Sequence, residues 1–310
     1  MNYLLILAGF IFLVLGGNWL LKAAVGLSLR LNIPKIVIGM TVVSFATSAP
    51  ELIVSINAAL SGHADISLGN VIGSNIANLG LVLGIVIILS TISVERSFYI
   101  TNWPVMMIAS FLFYLFIKFD GVISRGEGII FVLLLVFFLI YLLKFQKQAV
   151  VEDEDLEIVD MPVYLSLLYL AIGGLGLWAG SELLVKGAVN LANQLGVSER
   201  VIGVTIISVG TSVPELAASI IAIIKKEKAI SLGNLLGSNI FNIFGVIGIT
   251  SIITPIKAMD ERLISYDMVW MLVLALIIFP LVFAPVRMKL SWREGLILLG
   301  SYVVFIALML

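Results

Sequence analysis

Ten apolar stretches, each close to 20 residues or longer, recur along this 310-residue chain. An α-helix needs about 20 apolar residues to cross the hydrocarbon core of a bilayer, so each stretch predicts one membrane-spanning helix. Only 12% of the residues are charged, whereas a soluble domain carries about 25%. We therefore predict an all-α polytopic membrane protein with ten transmembrane helices. The predicted spans cover residues 2–29, 33–60, 66–90, 98–118, 125–147, 162–193, 197–224, 229–254, 264–284 and 290–309.

Two stretches of the chain are close copies of each other. The first runs from Gly39 to Asn78 and contains TSAPEL and GSNIAN. The second runs from Gly203 to Asn242 and contains TSVPEL and GSNIFN, with every position 164 residues after its counterpart. Shared apolar composition does not explain polar matches at one constant offset. The chain therefore contains an internal repeat.

Each copy of the repeat falls within five predicted spans. Because five is an odd number of crossings, the second half enters the membrane from the opposite face, and the repeat has inverted topology. We predict a first five-helix repeat over residues 1–147 and a second over residues 162–310. An acidic linker over residues 148–161, which contains the run Glu152–Asp155, joins them.

The basic residues predict the orientation of the chain. Cytoplasmic loops of membrane proteins carry an excess of Lys and Arg. Here 11 basic residues lie in one set of loops and 5 in the other. The richer set is therefore expected in the cytoplasm, which places the acidic linker inside and both termini outside. The richer set is Arg30, Lys35, Arg96, Lys144, Lys147, Lys225, Lys226, Lys228, Arg287, Lys289 and Arg293.

Several function classes are disfavoured by composition. A net charge of −1 gives no basis for nucleic-acid binding, and the absence of cysteine excludes a thiolate metal site. The single histidine, His63, lies in a short polar connection and is expected to be solvated. The N-terminal stretch lacks the basic start of a cleavable signal peptide, so we interpret it as the first span.

Each copy of the motif has a glutamate in the middle of a predicted span, and this carboxylate is the strongest indication of what the motif binds. Glu51 and Glu215 directly follow Pro50 and Pro214, and a buried carboxylate is costly unless a cation binds it. Proline removes a backbone donor, so we expect a helix break that frees carbonyls at residues 44–47 and 208–211. Carbonyl, hydroxyl and carboxylate oxygens together suit hard cations such as Ca²⁺ and Na⁺. The sequence predicts a metal cation held between the two copies.

The third and eighth spans add a polar stripe to this site. Ser74 and Asn78 are four residues apart, as are Ser238 and Asn242, so each pair shares one helix face. Interhelical hydrogen bonding by these side chains, and a plain kink at each proline, are the alternatives that the pattern leaves open. Two ionised carboxylates are neutralised by one Ca²⁺, by two Na⁺ or by two protons, a balance that favours exchange of one cargo for another.

The paired motifs TSAPEL/TSVPEL and GSNIAN/GSNIFN in a ten-span chain resemble the repeats of the sodium/calcium exchanger family, within the cation/calcium exchanger superfamily. The resemblance implies a prokaryotic antiporter of the cytoplasmic (inner) membrane that works by alternating access, with no enzymatic step. Spans one and six would slide across the bundle of spans two, three, seven and eight. Ca²⁺ and Na⁺ would be its substrates and the lipid bilayer its surroundings, with no cofactor, nucleic acid or obligatory protein partner.

The resemblance also implies a role for each site residue. Glu51 and Glu215 would bind Ca²⁺ together with the carbonyls of Thr47 and Thr211. Asn78 and Asn242 would occupy the centre of the site. The flanking Na⁺ sites would use Ser48, Ser74, Ser212 and Ser238, with the carbonyls of Ser44 and Ser208.

Two positions depart from the family pattern. Asn242 stands where some members have Asp, which argues against potassium dependence, and Ala46 stands where the family usually has Gly. A Ca²⁺/H⁺ exchanger that uses the same two glutamates is the nearest alternative function. A cation channel is a second alternative. An intramembrane hydrolase is disfavoured, because it requires a nucleophile–base pair or a histidine cluster.

Overall fold

The structure is a computed structural model that describes residues 2–145, 162–195 and 208–309. The predicted linker 148–161 and the start of the predicted span 197–224 lie outside these residues. The helices are α1 Asn2–Leu31, α2 Lys35–Leu60, α3 Ala64–Leu89, α4 Phe98–Asp120, α5 Arg125–Phe145, α6 Val163–Gln194, α7 Val213–Ile224, α8 Lys228–Ile253, α9 Leu263–Phe283 and α10 Trp292–Met309.

The predicted fold class is confirmed. In the described part of the chain, nine helices are long and apolar enough to cross a membrane, and α7 is a shorter apolar helix. Apart from the start of α7, the observed bounds agree with the predicted spans to within a few residues, because the ends of the apolar stretches coincide with turn residues. Gly121, for example, ends α4 with a positive φ of 73°, a backbone conformation that glycine adopts without strain.

Two short antiparallel strand pairs join loops. β1 (Ile92–Ser93) pairs with β4 (Lys289–Leu290), and β2 (Val122–Ile123) pairs with β3 (Ile256–Lys257). β1 and β4 lie in two loops of the basic set, and β2 and β3 lie in two loops of the other set. The pairing therefore agrees with the predicted alternation of crossings, since paired strands lie on the same side of a membrane.

Side-chain contacts between loops give the same result. Asn2 donates a hydrogen bond to Gln194 at 3.0 Å, and the backbone N–H of Met259 donates to Asp65 at 2.8 Å. All four residues belong to the N-terminus or to loops predicted on the outer side. Each contact thus joins segments that an alternating ten-span path places on one face.

The described residues form two compact units, each built from segments of both halves of the sequence. The first contains residues 1–47 and 139–235. In it, α1 packs against α6 at very short range, because a Cβ atom added to Gly16 would lie 2.6 Å from the backbone nitrogen of Leu177. Small residues permit this backbone approach between membrane helices.

The second compact unit contains residues 48–138 and 236–310. Phe131 of α5 lies at its centre, with ring centroids 6.4 Å from Phe113 and 5.7 Å from Phe244. α3 approaches α10 closely, since a Cβ on Gly84 would lie 3.1 Å from the backbone nitrogen of Leu299. The two predicted five-helix repeats, 1–147 and 162–310, are the two halves of the sequence, whereas each compact unit combines segments of both halves. The division into repeats remains a prediction.

The predicted helix break differs between the two copies. In the second copy, the described helical residues Ser208–Gly210 end at a turn, and α7 begins at Val213 with Pro214 in its first turn. The missing N–H of proline costs little at that position. In the first copy the predicted break is wrong, because the helix continues from Ser44 to Leu60 through Pro50. The higher helix propensity of Ala46 in the first copy, against Gly210 in the second, is consistent with this difference.

A π-helical segment replaces the expected break in the first copy. It covers Gly39–Val43, directly before the regular helix. The side chain of Ser44 lies 2.8 Å from the carbonyl oxygen of Gly39, so its hydroxyl can donate to a carbonyl that the wider turn exposes. The irregular backbone therefore lies one turn upstream of its predicted position.

Candidate cation-binding site

Both motif carboxylates are fully buried. The side chains of Glu51 in α2 and Glu215 in α7 have no exposed surface. Glu215 lies in the first turn of its helix, where the N-terminal end of the helix dipole favours a negative charge. These two glutamates belong to different compact units, and each is placed by the helix that carries its copy of the motif.

Buried hydroxyl groups lie next to both carboxylates along the chain. Ser48 and Ser212 are buried, and neither hydroxyl has a hydrogen-bond partner among the described residues. Ser44 and Thr47 are also buried, while Thr211 lies in the turn that follows Gly210 and precedes α7. Only the backbone of Ser208 is described. An unpaired buried hydroxyl costs about 1–3 kcal/mol, so the hydroxyls of Ser48 and Ser212 favour an additional ligand.

The polar stripe of α3 and α8 coincides with irregular helix geometry. One π-helical segment begins at Asn78, and another, Phe241–Ile247, contains Asn242. Ser74 and Ser238 are buried one turn earlier in the same helices. Segments of this kind occur frequently at functional sites, because the extra residue in the turn redirects the side chains around it.

Asn78 and Asn242 are held differently. Neither the nitrogen nor the oxygen of the Asn78 side chain has a hydrogen-bond partner in residues 2–145, 162–195 and 208–309. Asn242 donates from Nδ2 to Oδ1 of Asn75 at 3.1 Å, and its own Oδ1 has no partner there. Asn75 in turn donates to the carbonyl of Asn239 at 3.4 Å. These bonds orient the Asn242 amide so that its oxygen is available to a cation.

A second repeated feature, missed from the sequence, supports the motif helices. Asn70 donates to Oγ of Ser55 at 3.0 Å, and Asn234 donates to Oγ of Ser219 at 3.2 Å. The two pairs are separated by the same 164 positions as the motifs, so the offset alone identifies Ser55 and Ser219. Asn234 also accepts a hydrogen bond from Thr47 at 3.2 Å. These bonds hold the polar faces of the helices together.

The residue types at the site are those that bind hard cations. Carboxylate, hydroxyl and amide oxygens suit Ca²⁺ and Na⁺. Within the described ranges there is no cluster of three or more His, Cys, Asp or Glu side chains, which gives no support for a transition-metal centre. Lys22 and Lys186 are exposed, and the Lys22 ammonium lies 5.2 Å from the ring centre of Tyr169.

Among the described residues, nine membrane-length apolar helices and the shorter α7 define a polytopic membrane protein. Its duplicated motif carries buried side chains with oxygen atoms. The family described as "Sodium/calcium exchanger protein" matches residues 1–144 and 165–310. The chain therefore belongs to the sodium/calcium exchanger family, a family of membrane transporters for cations and calcium.

Individual relatives match over almost the whole chain. The "Putative antiporter CaxA" of Alkalimonas amylolytica is 37% identical over 96% of this chain and 95% of its own length. The "Inner membrane protein YrbG" of Escherichia coli is 33% identical over 98% and 95%. The solved structure of the sodium/calcium exchanger from Methanococcus jannaschii superposes with a TM-score of 0.83 at 31% identity, covering 99% of this chain and 97% of that one.

Proposed function

We propose that this chain exchanges Na⁺ for Ca²⁺ across the cytoplasmic membrane of a prokaryote by alternating access. The observation that carries this proposal is the complete burial of one glutamate in each copy of a duplicated motif. Membership of the exchanger family and the antiporter name of one relative support it. The ions are its substrates and the bilayer its surroundings, and transport involves no chemical step.

The glutamates are the proposed Ca²⁺ ligands. Glu51 and Glu215 supply the charge, and the backbone carbonyls of Thr47 and Thr211 supply neutral oxygens beside them. Ca²⁺ accepts six to eight oxygen ligands in flexible geometry, which suits such a mixed set. A loaded site with two carboxylates and one Ca²⁺ is neutral, whereas an empty one carries two negative charges. The neutral state costs least to move through the membrane.

The hydroxyl groups are the proposed Na⁺ ligands. The buried hydroxyls of Ser48 and Ser212, which have no hydrogen-bond partner among the described residues, support this assignment. Asn78 and Asn242 offer amide oxygens at the centre of the site. The full set assigned to Na⁺ is Ser48, Ser74, Ser212 and Ser238, with the carbonyls of Ser44 and Ser208.

The decisive experiment measures ⁴⁵Ca²⁺ uptake into proteoliposomes. Under an outward Na⁺ gradient at equal pH, we expect uptake that collapses when the Na⁺ gradient is abolished. A pH gradient without Na⁺ should drive none. Uptake driven only by the pH gradient would show Ca²⁺/H⁺ exchange, the second candidate, which the two buried carboxylates also favour because two protons neutralise them. Flux that is independent of both counter-ions would show a channel.

The proposed orientation places both termini outside the cytoplasm. Eleven basic residues in one set of loops against five in the other support it. The strand pairs β1–β4 and β2–β3 support the same grouping of loops, since each pair joins loops of one set. Lys35 and Glu227 would then lie on the cytoplasmic side.

A further inference from the structure

A chain of polar side chains leads away from the motif in the first compact unit. Thr47 donates to Oδ1 of Asn234 at 3.2 Å, and Asn234 donates to Oγ of Ser219 at 3.2 Å. All three residues are buried. Ser231 lies three residues before Asn234 in α8, on the same helix face. The polar face of α8 thus continues from the motif toward the beginning of that helix.

Ser231 lines a small cavity. The cavity has a volume of about 10 Å³, room for about one water molecule, and Asn234 also lines it. The hydroxyl of Ser231 is fully buried and has no hydrogen-bond partner in the described part of the chain. The remaining wall is apolar and is shared by four helices, of which α1 contributes Gly17, Leu20 and Leu21. An unpaired hydroxyl in a cavity of this size is suited to a transient polar ligand.

An ion pair closes the end of this polar face. The backbone N–H of Ser231 donates to the carbonyl of Glu227 at 3.2 Å, and the Glu227 carboxylate lies 3.1 Å from the Lys35 ammonium. The exposed fractions are 4% for Glu227 and 17% for Lys35. A buried ion pair loses much of its Coulomb attraction to desolvation, so it contributes little net stability. Such a pair is better suited to joining two helix ends reversibly.

The helices that carry the pair are in backbone contact at this end. A Cβ atom on Gly39 of α2 would lie 2.5 Å from the carbonyl oxygen of Ile230 in α8. No path for an ion exists between backbones at that distance. The structure therefore shows this end of the polar face closed.

We propose that Ser231 is a cation-binding waypoint on a cytoplasmic ion pathway, and that the Lys35–Glu227 ion pair is the gate of that pathway. The ligand is Na⁺ or Ca²⁺ with part of its hydration shell, held by the Ser231 hydroxyl and the Asn234 amide oxygen. Opening separates Lys35 from Glu227 and leaves a carboxylate at the entrance, which attracts cations. Because α1 contributes Gly17, Leu20 and Leu21 to the wall, movement of α1 away from Ser231 widens the cavity. This proposal rests on the proposed exchange function.

The repeat gives independent support to the waypoint. Ser67 lies 164 positions before Ser231, and its hydroxyl is also fully buried without a partner among the described residues. A buried unpaired serine at both equivalent positions is difficult to explain by packing alone, since an alanine would avoid the cost. The residue equivalent to Glu227 is His63, which is exposed, so the acidic gate belongs to the second copy.

Cysteine labelling tests the pathway. The chain has no cysteine, so Ser231→Cys introduces a single thiol. A membrane-impermeant cationic methanethiosulfonate reagent is applied to the cytoplasmic side of inside-out vesicles and, separately, to the outer side. We expect slow labelling from the cytoplasmic side alone. Ser166→Cys is the matched control, because Ser166 is a buried serine of the same unit that does not line the cavity, and its hydroxyl has no partner within residues 2–145, 162–195 and 208–309. It should not be labelled.

Variants of the ion pair test the gate. Lys35→Met leaves the Glu227 charge uncompensated, so the closed state loses stability and labelling of Ser231→Cys should accelerate about tenfold. The charge-exchanged variant Lys35→Glu/Glu227→Lys restores the pair and should return the rate to its original value. Equal labelling rates in all three backgrounds would overturn the gate.

A flux measurement covers the case in which the thiol variant does not fold. Ser231→Ala should lower the initial rate of ⁴⁵Ca²⁺ uptake several-fold, whereas Ser166→Ala should not. Parental uptake in both variants, or no labelling of Ser231→Cys from either side in a transport-competent protein, would overturn the waypoint. If the unmodified protein shows no Na⁺-driven uptake while labelling proceeds as expected, the counter-ion assignment fails and the pathway stands.

Discussion

At the scale of single residues, Asn78 and Asn242 differ in what they contribute to folding. Asn242 holds the side chain of Asn75 by a hydrogen bond of 3.1 Å, whereas Asn78 makes no side-chain hydrogen bond to the described residues. A buried polar group without a partner destabilises a protein by about 1–3 kcal/mol. Asn78 therefore lowers the free energy of unfolding when no ion is bound, and ion binding offsets this destabilisation.

This difference predicts opposite effects of two equivalent substitutions. Asn78→Leu should raise the melting temperature in cation-free detergent solution, because an unpaired amide is removed. Asn242→Leu should lower it, because about 1 kcal/mol of hydrogen bonding to Asn75 is lost. Both variants should show less additional stabilisation on adding Ca²⁺. Thermal melts with and without Ca²⁺ check this. A destabilised Asn78→Leu that retains its full Ca²⁺ response would contradict the assignment.

The carboxylates give the sharpest functional prediction. Glu51→Gln and Glu215→Gln should each lower ⁴⁵Ca²⁺ uptake about 100-fold, since a lost charged ligand costs about 3 kcal/mol. Both proteins should still insert, as measured by their yield in the membrane fraction. Glu182→Gln is the matched control, because Glu182 lies on an exposed face of α6. Near-parental uptake by either motif variant would remove that glutamate from the site.

At the scale of helices, the contact of α1 with α6 depends on small residues. A Cβ on Gly16 would lie 2.6 Å from the backbone nitrogen of Leu177, and one on Gly173 would lie 2.6 Å from that of Leu20. Neither backbone nitrogen can move away unless its whole helix moves. The two helices therefore have no room for an added methyl group at these positions.

Gly16→Ala should separate α1 from α6 and destabilise the protein by about 1–3 kcal/mol, the typical cost of overpacking. Transport should also slow, if these helices slide as proposed. Gly174→Ala is the matched control in α6, because its Cβ would meet the Cβ of Ala46 at 3.6 Å, an ordinary contact. Melting temperature and initial uptake rate are the measurements. Equal effects of the two substitutions would contradict the packing argument.

The motif helices show where sequence reasoning succeeds and where it stops. Proline predicts a break in each copy, and α7 begins after such a break. The break exposes the carbonyl of Gly210, which accepts a hydrogen bond from Ser181 at 2.7 Å. In α2 the helix continues through Pro50, and a π-helical turn over Gly39–Val43 precedes it. Proline restricts the backbone conformation of the residue before it, but the neighbouring residues determine whether the helix ends there.

At the scale of the whole molecule, the loops follow the path that ten crossings require. The two strand pairs and the contacts of Asn2 and Asp65 each join segments of a single predicted side. An odd number of spans per half then gives the halves opposite directions.

Reporter fusions test which side is cytoplasmic. Alkaline phosphatase fused after Leu310 should be active, and green fluorescent protein at the same position should be dark, because the basic loops remain inside. Green fluorescent protein inserted in the linker 148–161 should fluoresce. Reversal of all three results would place the termini in the cytoplasm.

Hydropathy predicts the spans well, because burial in lipid requires long apolar runs whatever their neighbours are. The repeat predicts the site residues as a set, since equal offsets identify them. The sequence does not predict the Asn75–Asn242 hydrogen bond or the Lys35–Glu227 pair. These contacts depend on how helices distant in sequence pack, and hydrophobic periodicity does not encode that packing.

The two short strand pairs have a mechanical consequence. Both lie in the second compact unit, one joining loops of the basic set and the other joining loops of the opposite set. Backbone hydrogen bonds of this kind do not depend on side-chain identity, so we expect both strand pairs to remain formed whichever ion is bound. The amides of Val94 and Ala258 donate across the two pairs to the carbonyls of Met288 and Gly121. Their deuterium uptake should therefore be equally slow in Na⁺ and in Ca²⁺, which makes them an internal reference for motion elsewhere.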